Sequence, residues 1–160
     1  MSVVVTGATG QLGRLVVESL LERGVPATEI VAGGRATERI ADLADLGVRV
    51  VRLDYTEPET LDAAFAGADV VVLVSSSEVG QRFAQHSNAI AAAQRAGVGR
   101  IVYTSIPKAT ETPMLLAGEH RATEEAIVAS GLPYTFVRNA WYIENYTPQI
   151  PTYLEHGVVG

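Results

Sequence analysis

The sequence predicts an α/β fold, a doubly wound parallel sheet with helices on both faces. Three observations carry that expectation. Short apolar, β-branched runs alternate with stretches of helical periodicity from the first residues onward. The run Asp69–Val74 is apolar at nearly every position, as expected of a strand covered on both faces. Gly7, Gly10 and Gly13 lie between the first apolar run and the first helical stretch, where a fold of this kind makes a tight strand-to-helix turn.

The elements follow in order. Ser2–Thr6 reads as the first strand. Residues 11–23 read as a helix, with Leu12, Leu15, Val16 and Leu20 at helical spacing and Gly24 as its stop. Residues 29–32 form a short strand, 36–46 a helix ended by Gly47, and 48–53 a third strand. Residues 58–65 form a short helix with Thr56 as candidate cap. After the strand 69–74 comes a long helix over 79–96, ended by Gly97. A fifth strand covers 101–104. Thr112–Pro113 is a good cap and first-turn pair for a helix reaching about Ser130. Residues 133–137 form the sixth strand. Residues 141–155 are aromatic and partly helical, with Pro148 and Pro151 as interruptions. There is no repeat, linker or composition shift, so residues 1–160 read as one domain. The chain ends soon after the sixth strand, with no length left for a separate substrate lobe, and reads as a minimal domain or a fragment.

Composition narrows the function. The 160 residues carry 12 Lys+Arg against 18 Asp+Glu, a formal charge of −6, which argues against nucleic acid as a partner. A hydrophobic fraction of 48% is that of a folded chain. Cysteine is absent, which excludes disulfides, thiolate metal sites and cysteine nucleophiles. No apolar run approaches the ~18 residues of a membrane span, and no signal-peptide pattern follows Met1. A cytoplasmic protein is expected, with no membrane partner. His86, His120 and His156 lack metal-ligand spacing, so no metal is expected. Glu119, Glu124 and Glu125 read as a solvated helix face.

The glycine-rich turn is the sharpest motif. Gly7 permits the turn, Gly10 lets backbone amides approach a pyrophosphate, and Gly13 lets the helix pack closely on the strand. The helix start adds unpaired N–H groups and partial positive charge. In this context the motif indicates a Rossmann-like NAD(P)-binding domain. An acid after the second strand would select NAD by its ribose hydroxyl, but that place reads Ala32-Gly33-Gly34-Arg35. Arg35 suits a 2′-phosphate, so NADPH is expected over NADH. Asp54, followed by Tyr55, is either an acceptor for the adenine amino group or a turn aspartate. Ser75, Ser76 and Ser77 follow the fourth strand, where hydroxyls and amides can meet the nicotinamide-side ribose and phosphate.

Together TGATGQLG (Thr6–Gly13), SSSEVGQR (Ser75–Arg82), YTS (Tyr103–Ser105) and RNAWYIENY (Arg138–Tyr146) resemble atypical short-chain dehydrogenases of the NmrA-like group, in particular its quinone-reducing branch. The likeness runs over essentially the whole chain, through LEHGV (Leu154–Val158). The resemblance implies NADPH held by Gly7, Ala8, Thr9, Gly10, Gln11 and Leu12, by Arg35 and by Ser75–Ser77. It also implies that Ala140, Trp141, Tyr142, Ile143, Glu144 and Asn145 lie at the nicotinamide and quinone end. Members of the family continue past the end of this chain, and their remaining part closes the substrate pocket.

The Tyr-x-x-x-Lys pair of ordinary short-chain dehydrogenases is absent, because the single lysine is Lys108, in a loop. Hydride transfer to a quinone asks less of the protein, since the reduced oxygen is phenol-like and positioning supplies most of the advantage. His120 is the candidate proton donor, or else a surface or capping histidine. Asn139 and Asn145 are candidates for hydrogen bonds to the carboxamide or a quinone oxygen, or they order the loop. Trp141, Tyr142 and Tyr146 wall a flat acceptor, or pack on the sheet or on a second subunit in a homodimer. The expected activity is NAD(P)H-dependent reduction of a quinone-like small molecule. The alternative is a regulator that senses NAD(P) without turnover.

Overall fold

A computed structural model describes residues 1–157, so the last three residues of the expected 1–160 domain lie outside it. Six parallel strands form one sheet in the order β3-β2-β1-β4-β5-β6. They are β1 (Val3–Val5), β2 (Ile30–Gly34), β3 (Arg49–Arg52), β4 (Val70–Leu73), β5 (Arg100–Ser105) and β6 (Tyr134–Arg138). The expected fold class is borne out. β1 pairs with β2 on one side and β4 on the other, Val4 standing opposite both Val31 and Val71. The connections after β1 and β4 therefore leave in opposite directions, and a crevice opens between them.

Alternation along the strands builds two cores. Val4, Val31, Val71, Leu73, Ile101 and Tyr103 face one side with Leu61, Phe65, Ile90 and Ile127. Those partners come from α3 (Pro58–Phe65), α4 (Arg82–Ala96) and α5 (Leu115–Ala129). Val3, Val5, Ile30 and Ala32 face the other side with Val17, Ile40 and Leu43, from α1 (Gln11–Glu22), a 3-10 turn (Thr37–Ile40) and α2 (Ala41–Asp45). Over β6 the sheet is open among the described residues, with Thr135 and Val137 exposed.

Several boundaries shift for local reasons. On α1 the buried positions are Gly13 and Val17, one turn apart, while Leu15 is 55% exposed; close approach at Gly13 sets which face meets the sheet. β2 runs on through Gly33 and Gly34, where added Cβ atoms would stand 2.7 Å from the Leu53 side chain and 2.5 Å from that of Thr9. Thr56 does not cap α3: its N–H and hydroxyl both donate to Asp54 Oδ1 (2.9 and 2.7 Å). α4 begins at Arg82 rather than Val79, because Gly80 takes a left-handed φ of 86°. α5 begins at Leu115, with the Thr112 hydroxyl accepting the Met114 N–H before it. Pro148 and Pro151 do not interrupt; they stand in the first turns of a 3-10 turn (Thr147–Gln149) and of α6 (Ile150–His156), where no N–H is missed. Among the described residues no helix is long and apolar enough to cross a membrane, and no three acidic or histidine side chains group to hold a metal.

Candidate functional site

A groove of about 330 Å³ lies at the carboxyl ends of the strands. The β1–α1 turn (Gly7, Thr9–Gly13) forms its floor. Gly34 and Arg35 after β2, Leu53–Tyr55 after β3, and Val74–Glu78 after β4 form its walls, with Gln85 and Tyr142.

Gly7 has φ 61°, which a side chain would strain. A Cβ on Gly13 would stand 2.3 Å from the Gly7 carbonyl oxygen, so only glycine lets α1 start this close to β1. The first amide of α1 bonded back is that of Arg14, to the Gly10 carbonyl (3.1 Å). The N–H groups of Gln11, Leu12 and Gly13 precede it and have no intrahelical carbonyl. Ala8 is a different matter. It is buried, its amide donates to the Gly33 carbonyl (2.9 Å), and the Gly10 amide closes the turn on Gly7 (3.0 Å). Those two residues shape the turn rather than offer donors.

Arg35 is largely exposed and lines the groove, where it donates to Glu78 Oε1 (3.0 Å). Asp54 also lines it, but its carboxylate serves the turn, accepting both bonds from Thr56. Burial pulls that carboxyl up; the Thr56 hydrogen bonds, with Arg35 and Arg52 nearby, hold it below the usual range. Tyr55 does not offer its hydroxyl to the groove. It donates to the Val74 carbonyl (2.7 Å) and stands 2.5 Å from the Thr6 hydroxyl, stapling the ends of β1 and β4.

The serine tract is held from below by residues the sequence reading did not single out. The Ser75 amide donates to the Thr104 hydroxyl (2.8 Å) and the Ser76 amide to His86 Nε2 (3.0 Å). Neither of these two amides is therefore available to a ligand, and the tract offers its hydroxyls and the Ser77 amide, which makes no hydrogen bond among the described residues. His86 has one consistent tautomer. Nε2 accepts, so Nδ1 carries the proton and faces the Thr123 hydroxyl (3.0 Å), which itself donates to the Glu119 carbonyl (2.8 Å). Burial pushes the His86 pKa down to about 3, with Arg82 and His120 adding to the shift. Arg82 donates to the Ser76 carbonyl (2.5 Å) and pairs with Glu119 (3.0 Å). Glu119 also accepts the Gly80 amide (3.0 Å). The signal available in the sequence was the spacing of Arg82 and His86, one helical turn apart just after the serines.

Two further expectations are revised here. Glu119 and Glu124 are not a solvated face: Glu124 is buried and pairs with Arg138 on β6 (2.7 Å). His120 is not a surface residue. It is buried, with Nδ1 2.7 Å from the Tyr103 hydroxyl. Burial pushes its pKa down to about 4, Arg82 adding to the shift and Glu119 and Glu124 opposing it. It is not among the residues that line the groove.

Of residues 140–145 only Tyr142 lines the groove. Its hydroxyl accepts from Asn139 Nδ2 (2.8 Å), and the Asn139 amide is anchored on the Ser105 carbonyl (3.0 Å). Ala140, Trp141, Ile143, Glu144 and Asn145 lie outside the lining, Trp141 and Ile143 strongly exposed. Asn145 sits in a 3-10 turn whose carbonyl accepts from Gln149 (2.7 Å).

A family model described as NAD(P)H-binding matches residues 7–157. Over 156 residues the chain is 48% identical to quinone oxidoreductase 2 of Escherichia coli, a match covering 98% of this chain and 54% of that protein. It is 29% identical over 153 residues to an NmrA-like family domain-containing oxidoreductase of Aspergillus flavus, covering 91% and 50%. Among solved structures, the Citrobacter sp. triphenylmethane reductase complexed with NADP(H) superposes with a TM-score of 0.91 at 42% identity, covering 99% of this chain and 56% of that one. The NADPH-dependent quinone oxidoreductase of Escherichia coli complexed with NADPH gives 0.89 at 48% identity, covering 97% and 54%. The chain thus spans about half the length of the curated relatives it matches. By the match over residues 7–157, and by a fold that agrees with it, the chain belongs to the NAD(P)H-binding family.

Proposed function

We propose that the chain binds NADPH in the groove and presents it for reduction of a quinone-like small molecule. The observation that carries this reading is the donor set gathered at one crevice. The first-turn amides of α1, the hydroxyls of Ser75–Ser77 and the Arg35 guanidinium all border the same groove. Such a set suits a polyanion better than a neutral ligand. NADPH is favoured over NADH because Arg35 stands where an NAD-specific site places a carboxylate. The acceptor class follows from the likeness to a protein named as a quinone oxidoreductase.

When bound, NADPH supplies a hydride. The chain's own part is to hold and orient. Gln11, Leu12 and Gly13 receive the pyrophosphate, with Gly7, Thr9 and Gly10 as the floor and Ala8 as the buried brace of the turn. Arg35 takes the 2′-phosphate, the serine hydroxyls the nicotinamide-side ribose, and Asp54 borders the adenine. At the nicotinamide end Tyr142, the one residue of 140–145 that lines the groove, is the wall. His120 keeps Tyr103 in place and stays neutral. The proton that accompanies the hydride onto a quinone oxygen then comes from water, which suffices for a phenol-like oxygen.

The test is the loss of NADPH absorbance after a soluble benzoquinone is added. Steady, enzyme-dependent consumption is expected. Tight binding with no consumption would favour the sensing role instead, and absence of binding would remove both.

A further inference from the structure

The groove has an unusual charge balance for a site that takes a polyphosphate. Among the described residues that line it, the charged ones are Arg35, Asp54 and Glu78, one cation against two carboxylates. The cation is already engaged. Arg35 Nη1 donates to Glu78 Oε1 (3.0 Å) across 43 residues of sequence, from the end of β2 to the loop after β4. The pair therefore joins the two walls of the crevice. Glu78 is also braced from behind. Its second carboxylate oxygen accepts from Gln85 Nε2 (2.8 Å), and its own amide donates to the Ser76 hydroxyl (3.2 Å). The Gln85 amide can only be oriented this way, since a carboxylate accepts and does not donate.

We propose that Glu78 is a specificity-determining residue that competes with the 2′-phosphate for Arg35, so that the preference for NADPH is the difference between two anions on one guanidinium. A dianionic phosphate approaching Arg35 meets the Glu78 carboxylate, and the ion pair must open for it. Opening is feasible because both side chains are well exposed, 66% and 41%, and exposed pairs are weak. Gln85 keeps hold of the carboxylate when Arg35 leaves it, so Glu78 remains at the rim and goes on repelling the phosphate. NADH carries no 2′-phosphate and has no need to open the pair. Glu78 thus trims the advantage that Arg35 confers. This role rests on Arg35 being the partner of the 2′-phosphate, as proposed above.

Adenosine 2′,5′-bisphosphate and adenosine 5′-monophosphate differ only in the 2′-phosphate, so the ratio of their affinities isolates the effect. Calorimetric titration at low salt should show that ratio rising about three- to tenfold in Glu78→Gln, with a smaller rise at high salt. Arg35→Ala should bring the ratio close to one. A ratio in Glu78→Gln that is unchanged or lower, with Arg35→Ala behaving as stated, overturns the role of Glu78 and leaves the NADPH reading standing. A ratio that Arg35→Ala does not lower overturns the assignment of Arg35 itself, and the role of Glu78 with it.

Discussion

At Gly13 the sequence has no alternative to glycine, because a Cβ there would lie 2.3 Å from one backbone oxygen and 2.8 Å from the Ala8 Cα. Neither neighbour is a flexible side-chain tip. Gly13→Ala must therefore push α1 away from β1, and should lower the unfolding free energy by about 1–3 kcal/mol, as overpacking does. Gly10 differs. Its Cβ would stand 3.3 Å from the Gly7 oxygen and meet nothing closer, so Gly10→Ala should keep most of the stability and instead weaken dinucleotide binding at the floor of the groove. Urea unfolding together with a dinucleotide titration separates the two. Equal stability in both variants would contradict this division. At the same scale Arg35 was legible from its place after β2, whereas its partner Glu78 was not, since nothing local couples residues so far apart in sequence.

Between elements, α4 and α5 act as a clamp under the β4–α4 loop. His86 and Arg82 reach the loop from α4, and Glu119 and Thr123 hold them from α5. The clamp needs a neutral His86, because Nε2 accepts the Ser76 N–H. The unfolded chain binds that proton near pH 6.5, and the native chain not until about pH 3. Stability from this source is therefore complete above pH 6.5 and drains away as the pH falls toward 3, at up to about 1.4 kcal/mol per pH unit. His120 contributes with the same sign down to about pH 4. His86→Gln removes the titrating group, so its stability should fall less between pH 6.5 and 4.5 than that of the native chain. Denaturant unfolding at those two pH values measures it, and parallel losses would show that His86 is not the group responsible. Helix periodicity placed α4 and α5 in the chain. It did not show that Glu119 and Glu124 turn inward, because their burial depends on Arg82 and Arg138 arriving from other elements.

Over the whole molecule, much of the architecture was legible because it follows from local rules: apolar runs for strands, glycines for helix stops, a glycine triplet for the turn. Strand order was not legible in that way, since pairing β1 with β4 joins segments 67 residues apart, as between Ser2 and Asp69. The crevice exists only because of that pairing, and it is what brings the β1–α1 turn, Arg35 and the serine tract to one place. The segment after β6 was the least legible part. Its aromatic residues suggested a wall around an acceptor, yet apart from Tyr142 they stand outside the groove lining. The central claim is that this crevice is an NADPH site read at its 2′-phosphate end by Arg35. The most direct measurement is calorimetric titration of the native chain and of Arg35→Ala with NADPH and with NADH. The native chain should bind NADPH more tightly, and Arg35→Ala should lose about ten- to a hundredfold toward NADPH while NADH affinity changes little. Equal losses toward both dinucleotides, or no preference in the native chain, would contradict it.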